Sequence, residues 1–216
     1  MNPPRPDASA VLDHLVVAAA TLEQGEDYFE ARLGVRPLRG GKHVAMGTHN
    51  SLLKLGEKTY LEVIAVDPEG VAPGRARWFG LDAAALRTEA QPRLIHWVAR
   101  TDDIFAARRA CTVDCGEVHA MTRGAFEWRI TIPADGHLPG GGLLPTLIQW
   151  ADERHPADAM PDAGVRLVAL AGAHPEPNAI RSALAALSLS ETIKVTFAVT
   201  PRLAAMLQTT RGPVAF

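Results

Sequence analysis

The chain has 216 residues, 47% of them apolar and 21% charged, with a formal net charge of −2, an ordinary globular composition for one large domain or two small units sharing a core. With no basic block it carries no nucleic-acid footprint, and no apolar run is long enough to span a bilayer. The opening "MNPPRPDASA" lacks the apolar stretch of a secretory leader, and Cys111 and Cys115 are too few for a disulfide framework, so a reduced, cytoplasmic protein without nucleic-acid or membrane partners is expected.

In chain order, residues 11–19 read as a strand. Thr21 then caps a helix, with Gln24 at the capping-box position, Leu22, Tyr28 and Phe29 as the apolar stripe and Gly34 as the stop. Strands are expected near 42–47 and 50–55, and a stronger one from Thr59 to Val66, with "GEK" as the turn between the last two. A Pro/Gly/Arg-rich linker follows, "PEGVAPGRARWFGLD", after which the order recurs. "RLIHWVAR" is a strand, Thr101 or Asp102 caps a helix over "DDIFAARRAC", "FEWRITIP" is a strand, and "LLPTLIQWAD" closes the unit after the loop "ADGHLPGGG". Trp97, Trp128 and Trp150 read as core residues facing the helices. The tail offers a shorter echo: strand "VRLVALAGA", a helix opening on Pro, and strand "IKVTFAV". The expected architecture is α+β, with paired βαβββ modules at 9–69 and 91–155 forming one unit over 9–155, and a C-terminal βαβ-type module at 163–216.

Each module places a histidine mid-strand near its start, His14 in "LDHLVVAA" and His96 in "LIHWVAR". Strand alternation groups Leu12, His14 and Val16 on one face and Tyr60, Glu62 and Ile64 on another. It also groups Leu94 with His96 and Val98, and Leu147 with Gln149. Two copies of one fold paired about a pseudo-two-fold axis would bring these polar positions together.

This repeat, with the wording "GTHNSLLKLGEKTYLEVIAVDPE", "RWFGLD" and "LPGGGLLPTLIQW", resembles the vicinal oxygen chelate superfamily, which includes glyoxalase I, extradiol dioxygenases and bleomycin-resistance proteins, and within it the glyoxalase-like domain proteins. The resemblance implies a metal held by His14, Glu62, His96 and Gln149. A His/carboxylate set of this kind suits a divalent Ni, Zn, Mn or Fe ion acting as a Lewis acid on two adjacent substrate oxygens. Gln149 departs from the glutamate of a glyoxalase I-type site and cannot take a proton, which leaves Glu62 as the catalytic base, or His49 in its place. Asn50, Tyr60 and Arg77 are the candidate substrate contacts. The expected function is a metal-dependent lyase or isomerase acting on a small oxygenated substrate, in a homodimer. A non-haem iron dioxygenase using His14, His96 and Glu62, and a non-catalytic ligand-binding protein, are the alternatives.

Overall fold

The computed structural model describes residues 8–83, 86 and 91–216, so most of the segment read for a leader lies outside the described residues. Twelve strands form two sheets among them. The first module runs β1 (Ala10–Ala18), α1 (Leu22–Leu33), β2 (Leu38–His43), β3 (Thr48–Gly56) and β4 (Thr59–Val66). The second runs β5 (Arg93–Thr101), α2 (Ile104–Ala110), β6 (Glu117–Arg123), β7 (Phe126–Ile132) and β8 (Thr146–Trp150). All eight strands join one sheet in the order β2-β3-β4-β1-β5-β8-β7-β6. Strand β6, whose polar residues alternate at the sheet edge, was not expected from the sequence.

The halves meet where β1 runs antiparallel to β5, and each of these strands pairs in parallel with the last strand of its own module, β1 with β4 and β5 with β8. His14 lies opposite Val98 and Val16 opposite His96, so a pseudo-two-fold axis exchanges His14 with His96. The register breaks once on each side of it, at Asp13 and at Ile95. A β-bulge of this kind admits one extra residue and re-aims its neighbours. The internal pairing is therefore complete within one chain.

The outer face of the sheet packs Leu15, Val17, Leu61 and Trp97 against α1 and α2. α1 forms as its sequence suggests: the Thr21 hydroxyl accepts the Gln24 N–H, Gly34 closes the helix in the left-handed region, and Leu22, Phe29 and Leu33 are buried. The cap of α2 is Asp103, which accepts the Phe105 and Ala106 N–H groups, rather than Thr101 or Asp102. The inner face carries Val16, Ile64, Val98, Trp128, Ile130 and Ile148. The sheet curls until its two edges, β2 and β6, touch.

The tail forms β9 (Arg166–His174), α3 (Pro177–Ala186), β10 (Lys194–Phe197), β11 (Arg202–Thr209) and β12 (Gly212–Ala215). β9 and β10 pair in parallel around α3, and a β11–β12 hairpin extends that sheet. It packs against the outer face of the main sheet through Leu170, Ile193, Val195 and Leu207. No helix among the described residues is long and apolar enough to cross a membrane.

Candidate active site

The inner face of the curled sheet lines a small cavity of about 30 Å³, room for roughly one water molecule. His14 and Glu62 reach it from adjacent strands, with His14 Nε2 3.7 Å from Glu62 Oε2. That separation is too long for a hydrogen bond, so both atoms are available to a third group.

Each of the two is anchored at its other end. The bulge at Asp13 puts two polar residues in succession inside an otherwise apolar strand. The Asp13 carboxylate, fully buried, accepts the His14 Nδ1–H at 2.6 Å on one oxygen. Its other oxygen accepts the indole N–H of Trp150 at 3.0 Å and His155 Nε2–H at 3.1 Å. His155 Nδ1 in turn accepts the Ala157 N–H, which fixes His155 as a donor toward Asp13. Burial pushes the Asp13 carboxyl up, but the bonds from His14 and His155 outweigh it and hold the group well below the usual carboxylate range. With Nδ1 committed, the lone pair of His14 sits on Nε2, toward Glu62. Glu62 is held in turn by Asn50, whose Nδ2 donates to Oε1 at 2.5 Å while its carbonyl oxygen accepts the Gly41 N–H. Tyr60 stacks on the His14 ring, centroids 4.5 Å apart, and burial raises its phenol pKa.

Trp78, Phe79, Trp128, Ile130, Ile148 and Trp150 make the walls. Trp128 and Trp150 thus face the cavity, whereas Trp97 meets the expectation of a helix-side core residue and donates its indole N–H to Leu143 O. At one side Arg123 Nη1 donates to His43 Nε2 at 3.0 Å, and His43 Nδ1 contacts Thr48 Oγ1 at 3.2 Å. Burial pushes the His43 pKa down to about 4, leaving a neutral ring at pH 7.

The structure brings His14, Glu62, Asn50 and Tyr60 together as expected residues of one site, and separates four others from it. Gln149 lies on the opposite face of β8, where its Oε1 accepts the Ile104 N–H and its Nε2 donates to Asp102 O. It tethers the start of α2 and faces away from the cavity. The register explains the error. Val16 lies opposite Glu62 and Val98 opposite Thr146, so the pseudo-two-fold equivalent of Glu62 is Thr146, three residues earlier.

His96 does occupy the position equivalent to His14, but both its nitrogens are engaged. Nδ1 bonds Gly142 O at 3.2 Å, and Nε2 accepts the Thr146 N–H at 3.0 Å and lies 3.0 Å from Thr146 Oγ1. Gly142 reaches that place with φ 96°, where a Cβ would lie 2.4 Å from Ile95 O. Burial lowers the His96 pKa to about 3. His49 alternates with Asn50 and so points to the outer face, beside Ser51, whose hydroxyl donates to Glu26 of α1. Arg77 is held by Asp82, both at its backbone N–H and at Nη1, and does not line the cavity.

The expected four-ligand metal centre is therefore not assembled. Of its members only His14 Nε2 and Glu62 Oε2 present free donors to one space, and no cluster of three or more His, Cys, Asp or Glu side chains among the described residues is placed to hold an ion. Asp13, His155, Arg123 and His43 join the site without having been anticipated. The one sequence signal was the Asp-His pair inside an apolar strand, which marks a bulge.

Among solved structures, a hypothetical protein from Staphylococcus aureus matches with a TM-score of 0.60 at 13% identity, over 88% of this chain and 87% of that one. Methylmalonyl-CoA epimerase from Mycobacterium tuberculosis matches at 17% identity over 64% and 85%, TM-score 0.39. A second methylmalonyl-CoA epimerase matches at 19% identity over 68% and 100%, TM-score 0.42. No curated protein matches. The family model described as a glyoxalase-like domain matches residues 12–188, which include both modules and the cavity between them. The chain belongs to the glyoxalase-like domain family.

Proposed function

We propose that this protein is a lyase or isomerase of glyoxalase type, moving a proton at a carbon next to a carbonyl group of a small oxygenated substrate. One observation carries the reading: His14 Nε2 and Glu62 Oε2 face the same buried space 3.7 Å apart, each with its far atom tied down by Asp13 or Asn50. A general base within reach of a C–H bond needs a free lone pair, a fixed orientation and a water-poor setting. His14 has all three, because the anion behind Nδ1 fixes the tautomer and stabilises the imidazolium that forms when Nε2 takes a proton. Glu62, with Oε1 held by Asn50, offers Oε2 as a second acceptor. One group removes the proton and either returns it, to the same carbon or to its neighbour, so epimerisation and isomerisation are both within reach of the pair.

The expected divalent ion belongs to this reading only in reduced form. His14 and Glu62 would be its two side-chain ligands, and no step above depends on it. The iron dioxygenase alternative needs His96 as a third ligand, and the bonds from His96 to Gly142 and Thr146 count against it. A homodimer is not needed to complete the cavity.

The test is deuterium incorporation from D2O into a panel of small 2-oxo and 2-hydroxy compounds, followed by NMR. Wild type is expected to exchange at least one of them, and His14→Gln and Glu62→Gln to lose about 100-fold or more, the usual worth of a positioned acid–base group. No exchange across the panel, or undiminished exchange in both variants, refutes the proposal. Saturable binding without exchange would favour the ligand-binding alternative.

A further inference from the structure

Resting on the proton-transfer reading of the same cavity, we infer that its substrates carry a carboxylate on the carbonyl group next to the reacting carbon, held by the Arg123 guanidinium and the Trp78 indole N–H, and that Arg123 leaves His43 to admit them.

Three observations converge on this pair. First, Arg123 has no carboxylate partner among the described residues; its hydrogen-bond acceptor is the neutral ring of His43. A guanidinium is a planar fork of donors suited to a carboxylate, and here that fork borders the cavity with its pairing capacity unused.

Second, Trp78 is 4% exposed and its Nε1–H is buried without a hydrogen-bond partner. A buried donor left unmade is uncommon and costly. Trp78 lines the same cavity as Arg123, and an oxyanion placed between them would satisfy both.

Third, Arg123, His43, Trp78 and Trp128 line two spaces at once, the inner cavity of about 30 Å³ and a wider recess of about 530 Å³ that also touches Lys42, Met121 and Gly124. The Arg123–His43 pair thus lies between them. Arg123 ends β6 immediately before the two-residue turn Gly124–Ala125. Its stem passes over Gly41, where a Cβ would stand 3.0 Å from Arg123 Cδ. The inner cavity holds little more than a water, so it makes room for a substrate only if lining side chains move, and the cation among them is Arg123.

The rest of the lining narrows the class. Glu62 and Asp13 already place two carboxylates around His14, and the remaining walls are apolar or aromatic. One guanidinium and one indole N–H fit a single monoanionic carboxylate and would leave a phosphate dianion under-coordinated. With the carboxylate there, the carbonyl carbon adjoins it and the C–H carbon beyond that carbonyl faces His14 Nε2 and Glu62 Oε2. The proton leaves that carbon for one of these atoms, and the electron pair left behind delocalises onto the carbonyl oxygen.

The experiment uses full-length protein labelled with 15N at the tryptophan indoles, titrated with pyruvate and 2-oxobutyrate and with their uncharged counterparts 2,3-butanedione and 2,3-pentanedione. Trp78→Phe assigns its resonance. The carboxylates are expected to shift the Trp78 indole proton downfield and saturate, the diones to leave it in place, and Arg123→Gln to weaken carboxylate binding by about tenfold or more, the usual loss for a charged hydrogen bond. Arg123→Lys should restore part of the affinity. If the diones bind as tightly, if neither acid binds, if Trp78 is silent while acid binds, or if Arg123→Gln binds like wild type, the inference is overturned. Should Arg123→Gln fail to fold, Trp78→Phe supplies the same comparison. Acid binding of the expected kind without deuterium exchange in any compound sinks the proton-transfer reading alone. Exchange on a dione without acid binding sinks the carboxylate inference alone.

Discussion

Replacing Asp13 with asparagine tests the anchor of the site without needing its substrate. The carboxylate accepts three hydrogen bonds, from His14 Nδ1, Trp150 Nε1 and His155 Nε2. An amide keeps one acceptor oxygen and gains an NH2 group. Turned toward Trp150 and His155, that NH2 would face two N–H donors. Turned toward His14 it meets one, and a shift of the imidazole tautomer relieves the clash. Asp13→Asn is therefore expected to put the His14 lone pair on Nδ1 and a hydrogen on Nε2, aimed at Glu62. Hydrogen bonds to a charged group contribute about 1.5–3 kcal/mol and neutral ones about 1 kcal/mol. Three weakened bonds, partly offset by no longer burying a charge, give a destabilisation of about 2 kcal/mol. Exchange activity should fall further, by about 10³- to 10⁴-fold, since the base now carries a proton on the wrong nitrogen. Long-range 1H–15N spectra of the histidine rings report the tautomer directly, and urea unfolding reports the stability. A His14 spectrum identical to wild type would show that Asp13 does not set the tautomer and would remove the physical basis for His14 as the base.

Gln149→Ala should cost about 1–2 kcal/mol through the lost tether at the start of α2, with metal content and exchange activity unchanged; activity lost at unchanged stability would return Gln149 to the site. Acid should destabilise the fold before Asp13 titrates. The His96 pKa lies near 3 when folded against 6.5 when free, so below pH 6.5 the unfolded chain binds a proton that the folded chain does not, and stability falls as pH falls. At pH 5 this one group accounts for about 2 kcal/mol. His43 acts in the same direction, whereas the depressed Asp13 matters only below about pH 4. Unfolding free energies at pH 7 and pH 5 should differ by less in His96→Asn than in wild type, and an equal difference would refute the assignment. For metals, elemental analysis of wild type beside His14→Ala, Glu62→Ala and His96→Ala is the check. A two-donor site predicts sub-stoichiometric Ni, Zn, Mn or Fe, removed by the first two changes. A stoichiometric ion released by His96→Ala as well would mean that His96 turns from Gly142 and Thr146 to bind it.

Much of the frame was legible in the sequence because period-2 patterns and caps are local. The strand at 59–66, the Thr21 and Gly34 helix signals and the repeated module order all derive from neighbouring residues. Strand β6 was not legible: "EVHAMTR" is half polar, and pairing with β7 makes it a strand where its own composition does not. In the site, His14 and Glu62 could be found because a carboxylate inside "YLEVI" needs a partner. Gln149, which the resemblance implies as the last-strand ligand, is the polar residue in "TLIQW". The face it occupies depends on the register between β5 and β8, which no single strand encodes. Trp78 and Arg123 come from a linker and a hairpin end, and only the curl of the whole sheet brings them to His14.

The two modules diverge at just the positions that decide what a histidine can do. The axis that exchanges His14 with His96 also exchanges Asp13 with Ile95 and Glu62 with Thr146. His14 thus lies between two carboxylates, one fixing its tautomer and one sharing its space. His96 lies between a carbonyl and a hydroxyl, with every nitrogen satisfied and its charged form suppressed by burial. The backbone, down to a bulge on each side, is the same; the chemistry is not. A symmetric fold had suggested a symmetric centre built from one imidazole per half. Instead, the second module's equivalent pair is engaged in packing, and that module supplies Trp128, Trp150, Ile148 and Arg123 to the walls around His14 and Glu62.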